Sequence, residues 1–120
     1  MTPKTYHDLL QETKARIREI APEEAVEVWR TDPSAVFLDV REPNEWNLGR
    51  IPRALFLPRG NLESRIESMV PRDARVVIYC ARGNRSAFAA ETLQEMGYED
   101  VQSVAEGWSG WIAAGGEVES

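Results

Sequence analysis

Cysteine occurs once in this 120-residue chain, as Cys80, and histidine once, as His7. A single thiol excludes an internal disulfide, and the sparse ligands offer no metal cluster. No apolar run approaches the length of a membrane-spanning helix. The opening residues, "MTPKTYHDLLQETKARIREI", are polar and of mixed charge and lack the apolar stretch of a signal peptide, so the expected location is the cytoplasm. Lysine is scarce: of the 14 basic residues all but Lys4 and Lys14 are arginine. The net charge of −6 argues against general nucleic-acid binding. There are no internal repeats and no low-complexity linkers, and the length suits one domain.

What is present is a chain of alternating elements. The first twenty residues read as a helix with Tyr6, Leu9, Leu10, Ile17 and Ile20 roughly on one face. Pro22 opens a second helix, "EEAVEVWR", with acidic residues in its first turn. "AVFLDV" (35–40) is a short apolar run of the kind buried on both faces of a sheet. "REPNEWNLGRIPR" reads as turns, and "ALFLP" as another short strand. "NLESRIESMV" reads as a helix capped by Asn61, with Leu62, Ile66, Met69 and Val70 on one face. "RVVIY" is a buried-type strand, and "SAFAAETLQEMG" a helix beginning at Ser86 and stopped by Gly97. "VQSVA" and "GWSGWIAAGG" supply a last strand and helix. Such alternation predicts an α/β fold with parallel strands and helices on both faces, in which ligands bind at the carboxyl ends of the strands.

Cys80 follows "RVVIY" directly, so it stands at that end. In "CARGNRS" Gly83 permits unusual backbone geometry. A loop curled around the sulfur would point its amides inward as an anion nest, and the next helix adds its unpaired N–H groups. Arg82 and Arg85 add charge. A helix dipole contributes only about 0.3–1 kcal/mol, so the amides and arginines carry most of the preference for a thiolate. The competing reading is a cysteine packed as a small hydrophobe; the glycine, the paired arginines and the strand-to-helix position outweigh it. Six arginines, at 41, 50, 53, 59, 82 and 85, fall in or beside turns, where they suit oxyanions or structural ion pairs. His7 lies far off in sequence, so no Cys–His pair is expected. A preformed thiolate with no base suits sulfur transfer: attack on a donor's outer sulfur, departure of an anion, and a persulfide left on Cys80.

At this point the chain resembles the single-domain rhodanese family of thiosulfate sulfurtransferases, over roughly residues 22 to 116. "FLDVREPNEWNLGRIPRALFLP" is similar to the family's first signature, and "VVIYCARGNRSAFAAETLQEMGYEDVQSVAEGWSGW" to its active-site strand, loop and helix. The resemblance implies a five-stranded, mostly parallel sheet flanked by helices, with a short strand near Ile20 as the fifth. It implies a rhodanese domain over 20–117 behind an N-terminal helical extension, 1–19, which covers apolar surface or contacts a partner. It makes Cys80 the persulfide-carrying nucleophile and Arg82 and Arg85 the residues that orient an anionic donor. The amides of Ala81, Gly83, Asn84 and Ser86 line the cradle, and Asp39, Arg41 and Glu45 brace the neighbouring loops. The implied partners are a small anionic sulfur donor such as thiosulfate and a cyanide, thiol or protein acceptor; on composition and charge, no metal, cofactor, nucleic acid or membrane is expected. Arg50, Arg53 and Glu106 depart from the family's usual His, Gly and Gly; at Arg53 only a need for positive φ would make the change serious. Two alternatives stand beside this reading. One is a non-catalytic rhodanese-like module that binds a partner. The other is a phosphatase or arsenate reductase, whose related loop has five residues between Cys and Arg where this one has four.

Overall fold

The computed structural model describes residues 2–120. Helix α1 (Tyr6–Arg16) begins in a reciprocal cap: the Thr5 side chain accepts from the Asp8 amide, and the Asp8 carboxylate accepts from the Thr5 amide. It stops four residues short of Ile20, which belongs instead to the two-residue strand β1 (Glu19–Ile20). Helix α2 (Pro22–Thr31) carries Pro at its first position, where a missing N–H is harmless. Strand β2 (Val36–Asp39) follows, then β3 (Leu55–Phe56), helix α4 (Leu62–Met69), strand β4 (Val76–Tyr79), helix α5 (Asn84–Glu95), strand β5 (Val101–Val104) and helix α6 (Gly107–Ala113). Between β2 and β3 the expected turns hold a short helix, α3 (Pro43–Leu48), closed by a capping box in which the Glu42 amide donates to Glu45 Oε1 at 2.9 Å.

Three further expectations are corrected. Helix α5 starts at Asn84, two residues before Ser86, because Gly83 takes a left-handed conformation that turns the chain into the helix early. Asn61 makes no side-chain cap; a 3-10 turn over Arg59–Asn61 leads into α4 instead. Met69 is part-exposed while Leu62, Ile66 and Val70 are buried.

The sheet order is β1-β5-β4-β2-β3, and all four pairings are parallel. Alternate residues of the central strands face opposite layers, as the two-residue period of a strand requires. Leu38, Val40, Val76 and Ile78 pack with Leu62, Ile66, Ala89, Ala90 and Leu93 from α4 and α5. Phe37, Val77 and Tyr79 pack with Ala25 and Val28 from α2 and Trp111 from α6. Helix α1 lies on α5, with Leu10 buried, the Thr13 hydroxyl donating to Glu91 at 3.0 Å and Arg16 paired with the same carboxylate. No helix among the described residues is long and apolar enough to cross a membrane.

Arg53 stands where a positive φ is required: its φ is 71°. That conformation costs an ordinary residue about 1–2 kcal/mol. The side chain offsets part of it: the guanidinium stacks 4.1 Å from the Trp29 ring centroid and donates to the Trp29 carbonyl at 2.8 Å. Arg53→Ala keeps the strain and loses the stack, whereas Arg53→Gly removes the strain. Urea denaturation is therefore expected to show the glycine variant more stable than the alanine variant by about 1 kcal/mol; equal stabilities would mean that the backbone is unstrained there.

Candidate active site

Strand β4 delivers Cys80 to the carboxyl edge of the sheet, beside the end of β2, whose Asp39 pairs in register with Tyr79. Cys80 is almost wholly buried, 1% exposed, at the floor of the loop that leads into α5. Two amides donate to its sulfur, Gly83 at 3.1 Å and Ser86 at 3.3 Å. Those of Ala81 and Asn84 make no hydrogen bond to it among the described residues. The loop thus engages the sulfur from the third and sixth residues after the cysteine. The thiol in turn donates to Ser86 Oγ at 3.4 Å, and that hydroxyl lies 2.8 Å from the Ser103 hydroxyl of β5. When the sulfur carries the negative charge, rotation of the Ser86 hydroxyl makes it a third donor and leaves its oxygen to accept from Ser103. Ser103 had no signal in the local sequence; only the pairing of β4 with β5 brings it near.

The outward face of the loop is held by α6. The Trp108 amide donates to the Cys80 carbonyl at 2.7 Å, and the Ser109 amide to that of Ala81 at 3.3 Å. With these carbonyls occupied from outside, the loop's amides are free to face the sulfur. The approach is close because Gly107 has no side chain; a Cβ there would overlap the Cys80 carbonyl oxygen.

The six turn arginines divide sharply. Arg41, Arg50, Arg59 and Arg85 pair with Asp39, Glu119, Glu63 and Glu45. Arg53 is spent on Trp29. Arg82 alone of the six has neither an ion pair nor an aromatic partner among the described residues, and it is exposed. Arg85 is fastened by both terminal nitrogens to Glu45, at 2.8 and 3.0 Å, and the same carboxylate holds the start of α3. The Arg85 hydrogen bond lowers the Glu45 pKa to about 2. The pair's contribution to stability is therefore complete above the ordinary carboxyl range and is lost as the pH falls towards about 2.

Asp39 and Arg41 lie beneath this rim, both buried. Arg41 Nε and Nη2 donate to the carboxylate at 3.0 and 2.7 Å, Nη2 reaches the Gly49 carbonyl at 2.7 Å, and the guanidinium stacks on Trp108 at 4.8 Å. Burial opposes the Arg41 charge, but the hydrogen bonds and charge of Asp39 outweigh it and raise its pKa. Buried Tyr79 has a pKa well above the usual phenol value, chiefly through desolvation and then the Asp39 charge, and its hydroxyl accepts from the Ile51 amide at 3.1 Å.

Above the sulfur opens a cavity of about 330 Å³ lined by Cys80, Ala81, Arg82, Asn84, Arg85 and Tyr6. Docking of α1 on α5 carries its first residue, Tyr6, to the mouth of the site. Among the described residues there is no group of three acidic, histidine or cysteine side chains that could hold a metal ion.

The Rhodanese-like domain family matches residues 22–114. The chain is 33% identical over 100 residues to the putative sulfur carrier protein YrkF of Bacillus subtilis, covering 83% of this chain and 54% of that protein. It is 36% identical over 81 residues to the thiosulfate sulfurtransferase GlpE of Pseudoalteromonas translucida, covering 66% of this chain and 74% of the relative. Against a putative mitochondrial thiosulfate sulfurtransferase of Schizosaccharomyces pombe it spans 65% of the relative's length. Among solved structures, RPA3614 of Rhodopseudomonas palustris, described as of unknown function and a possible tyrosine phosphatase, superposes with a TM-score of 0.89 at 32% identity, over 99% of this chain and 97% of that one. A thiosulfate sulfurtransferase from Pseudomonas aeruginosa gives a TM-score of 0.81 at 28% identity, over 92% of this chain and 21% of that one. With its parallel five-stranded sheet, its cysteine loop at the end of β4 and a family match running from α2 to α6, the chain belongs to the rhodanese-like family.

Proposed function

We propose that the chain is a sulfurtransferase that moves sulfane sulfur from thiosulfate or a similar anionic donor to a thiophilic acceptor through a persulfide on Cys80. The observation that supports it most is the sulfur itself, held by the Gly83 and Ser86 amides at the floor of a cavity whose mouth carries the unpaired Arg82. Amides that donate to sulfur stabilise its anionic form more than the thiol. Arg82 draws in the anionic donor, and Arg85, tied to Glu45, shapes the wall. The thiolate attacks the donor's outer sulfur. The sulfur–sulfur bond of thiosulfate breaks, sulfite leaves with the bonding pair, and the terminal sulfur of the new persulfide carries the charge. No proton moves, which fits a site without a histidine. Cyanide or a thiolate then attacks that terminal sulfur and leaves as thiocyanate or a new persulfide, while the electron pair returns to Cys80. The loop has a charged sulfur to hold in both halves of the cycle.

Intact-protein mass spectrometry after thiosulfate treatment tests this. The expected result is a gain of one sulfur atom, lost on adding cyanide and absent in Cys80→Ser. A protein that takes up no sulfur would instead be a partner-binding module. One that takes up none but hydrolyses an aryl phosphate would be a phosphatase.

A further inference from the structure

Tyr6 is the one cavity-lining residue that lies outside the matched segment 22–114, and nothing in the proposed sulfur chemistry uses it. Several contacts hold it in place. The Thr5–Asp8 capping box fixes the turn it sits on. Leu10, Thr13 and Arg16 anchor the rest of α1 to α5. The ring leans against Phe88 of α5, with centroids 6.1 Å apart and planes inclined at 47°. Despite these anchors the residue is 60% exposed, an arrangement that keeps an aromatic face open beside the cavity.

The cavity is large for the small molecules of the basic reaction. Its volume of about 330 Å³ opens broadly to solvent, which leaves room beyond cyanide, with two heavy atoms, or thiosulfate, with five. Its lining is also two-sided. Arg82 and Asn84 offer charge and hydrogen bonds, Arg85 stays paired with Glu45, and Tyr6 and Ala81 offer apolar surface. A two-atom acceptor approaching the floor needs none of the Tyr6 wall. A thiol with a carbon stem and an acidic group would use both sides, its stem against the ring and its acid towards Arg82.

We propose that Tyr6 is a specificity residue: its ring forms one wall of the active-site cavity and selects organic thiols, aromatic ones above all, over small inorganic acceptors. The inference rests on the sulfurtransferase reading for its substrate class, but the wall itself can be tested without it. In the first experiment, protein loaded with sulfur from thiosulfate is mixed with cyanide or with 4-mercaptobenzoate, and the rate of persulfide discharge is followed. Tyr6→Ala is expected to slow discharge to 4-mercaptobenzoate about five- to tenfold, the range of a lost aromatic contact, and to leave the cyanide rate unchanged. Tyr6→Phe is expected to behave as wild type, because the ring and not the hydroxyl forms the wall. In the second experiment Cys80 without added sulfur is alkylated with iodoacetamide or N-benzyliodoacetamide. The ratio of the benzyl to the parent rate is expected to fall in Tyr6→Ala and to hold in Tyr6→Phe.

Equal slowing of both acceptors by Tyr6→Ala, or no slowing of either, overturns the proposal if the alkylation ratio is also unchanged. A chain that accepts no sulfur, yet whose alkylation ratio depends on the Tyr6 ring, keeps the wall and discards the sulfur chemistry. A chain that transfers sulfur normally with neither ratio sensitive to Tyr6 keeps the chemistry and discards the wall.

Discussion

Arg41→Met is expected to destabilise the protein by about 3–5 kcal/mol, the range for removing one partner of a buried ion pair. The Asp39 carboxylate would keep the residue 41 amide, 3.0 Å away, but lose every guanidinium contact. The Gly49 carbonyl would lose its donor and Trp108 its stacking partner. Methionine fills some of the volume, so the loss reports charge and hydrogen bonding more than a cavity. The comparison that isolates the pair is Asp39→Leu/Arg41→Met, which removes both charges. Paired replacement of this kind is often close to neutral, so the double variant is expected to be more stable than Arg41→Met alone. Urea midpoints at constant m-value measure both. A double variant less stable than Arg41→Met would show that the two residues act separately and that Asp39 has another role in the folded state.

The second large effect is expected at Gly107. An added Cβ meets backbone, the Cys80 carbonyl oxygen with the Cys80 and Ala81 carbonyl carbons 2.9 Å away, and there is no flexible side chain to give way. The residue's φ of 49° adds strain. Overpacking costs about 1–3 kcal/mol and a left-handed L-residue about 1–2 kcal/mol, so Gly107→Ala is expected to lower stability by about 3 kcal/mol. Its effect on function separates it from a general defect. Pushing α6 outward releases the Cys80 and Ala81 carbonyls from the Trp108 and Ser109 amides, and the loop then has no reason to present its own amides to the sulfur. Sulfur loading is expected to fall even at temperatures where the variant stays folded. Gly60→Ala is the control: its added Cβ meets nothing within 4 Å and its backbone is not left-handed. Gly107→Ala with the melting temperature and loading rate of Gly60→Ala would mean that the α6 contact does not shape the loop.

These residues show which parts of the site a reading of the sequence reaches. The strand-loop-helix around Cys80 was legible because hydrophobic period, glycine and helix start all lie within a dozen consecutive positions. The alternation of strands and helices was legible for the same reason. Helix α3 was not, since six residues with Pro, Asn and Gly nearby carry no apolar period. Strand β1, two residues long, came only from the family resemblance. Ser103, Gly107 and Tyr6 were out of reach individually, because each acts on the loop from a separate element that only the packed sheet and its helices bring close. Arg85 and Glu45 were both singled out, but forty residues of separation hid that they hold each other. Arg53 and Glu106 stand where the family usually has glycine, and both keep a positive φ, 71° and 61°. The backbone there preserves a shape that its side chains no longer favour.

The two outer strands have a consequence for encounters with other molecules. β1 and β3 are each two residues long and close opposite margins of the sheet. A visiting polypeptide would find only a rung or two of free backbone on either side, too few to zip itself on as an added strand. Crowded copies of the chain therefore have little template for stacking into fibrils. On the proposed sulfurtransferase reading, a protein acceptor would meet the chain through side chains around the cavity mouth.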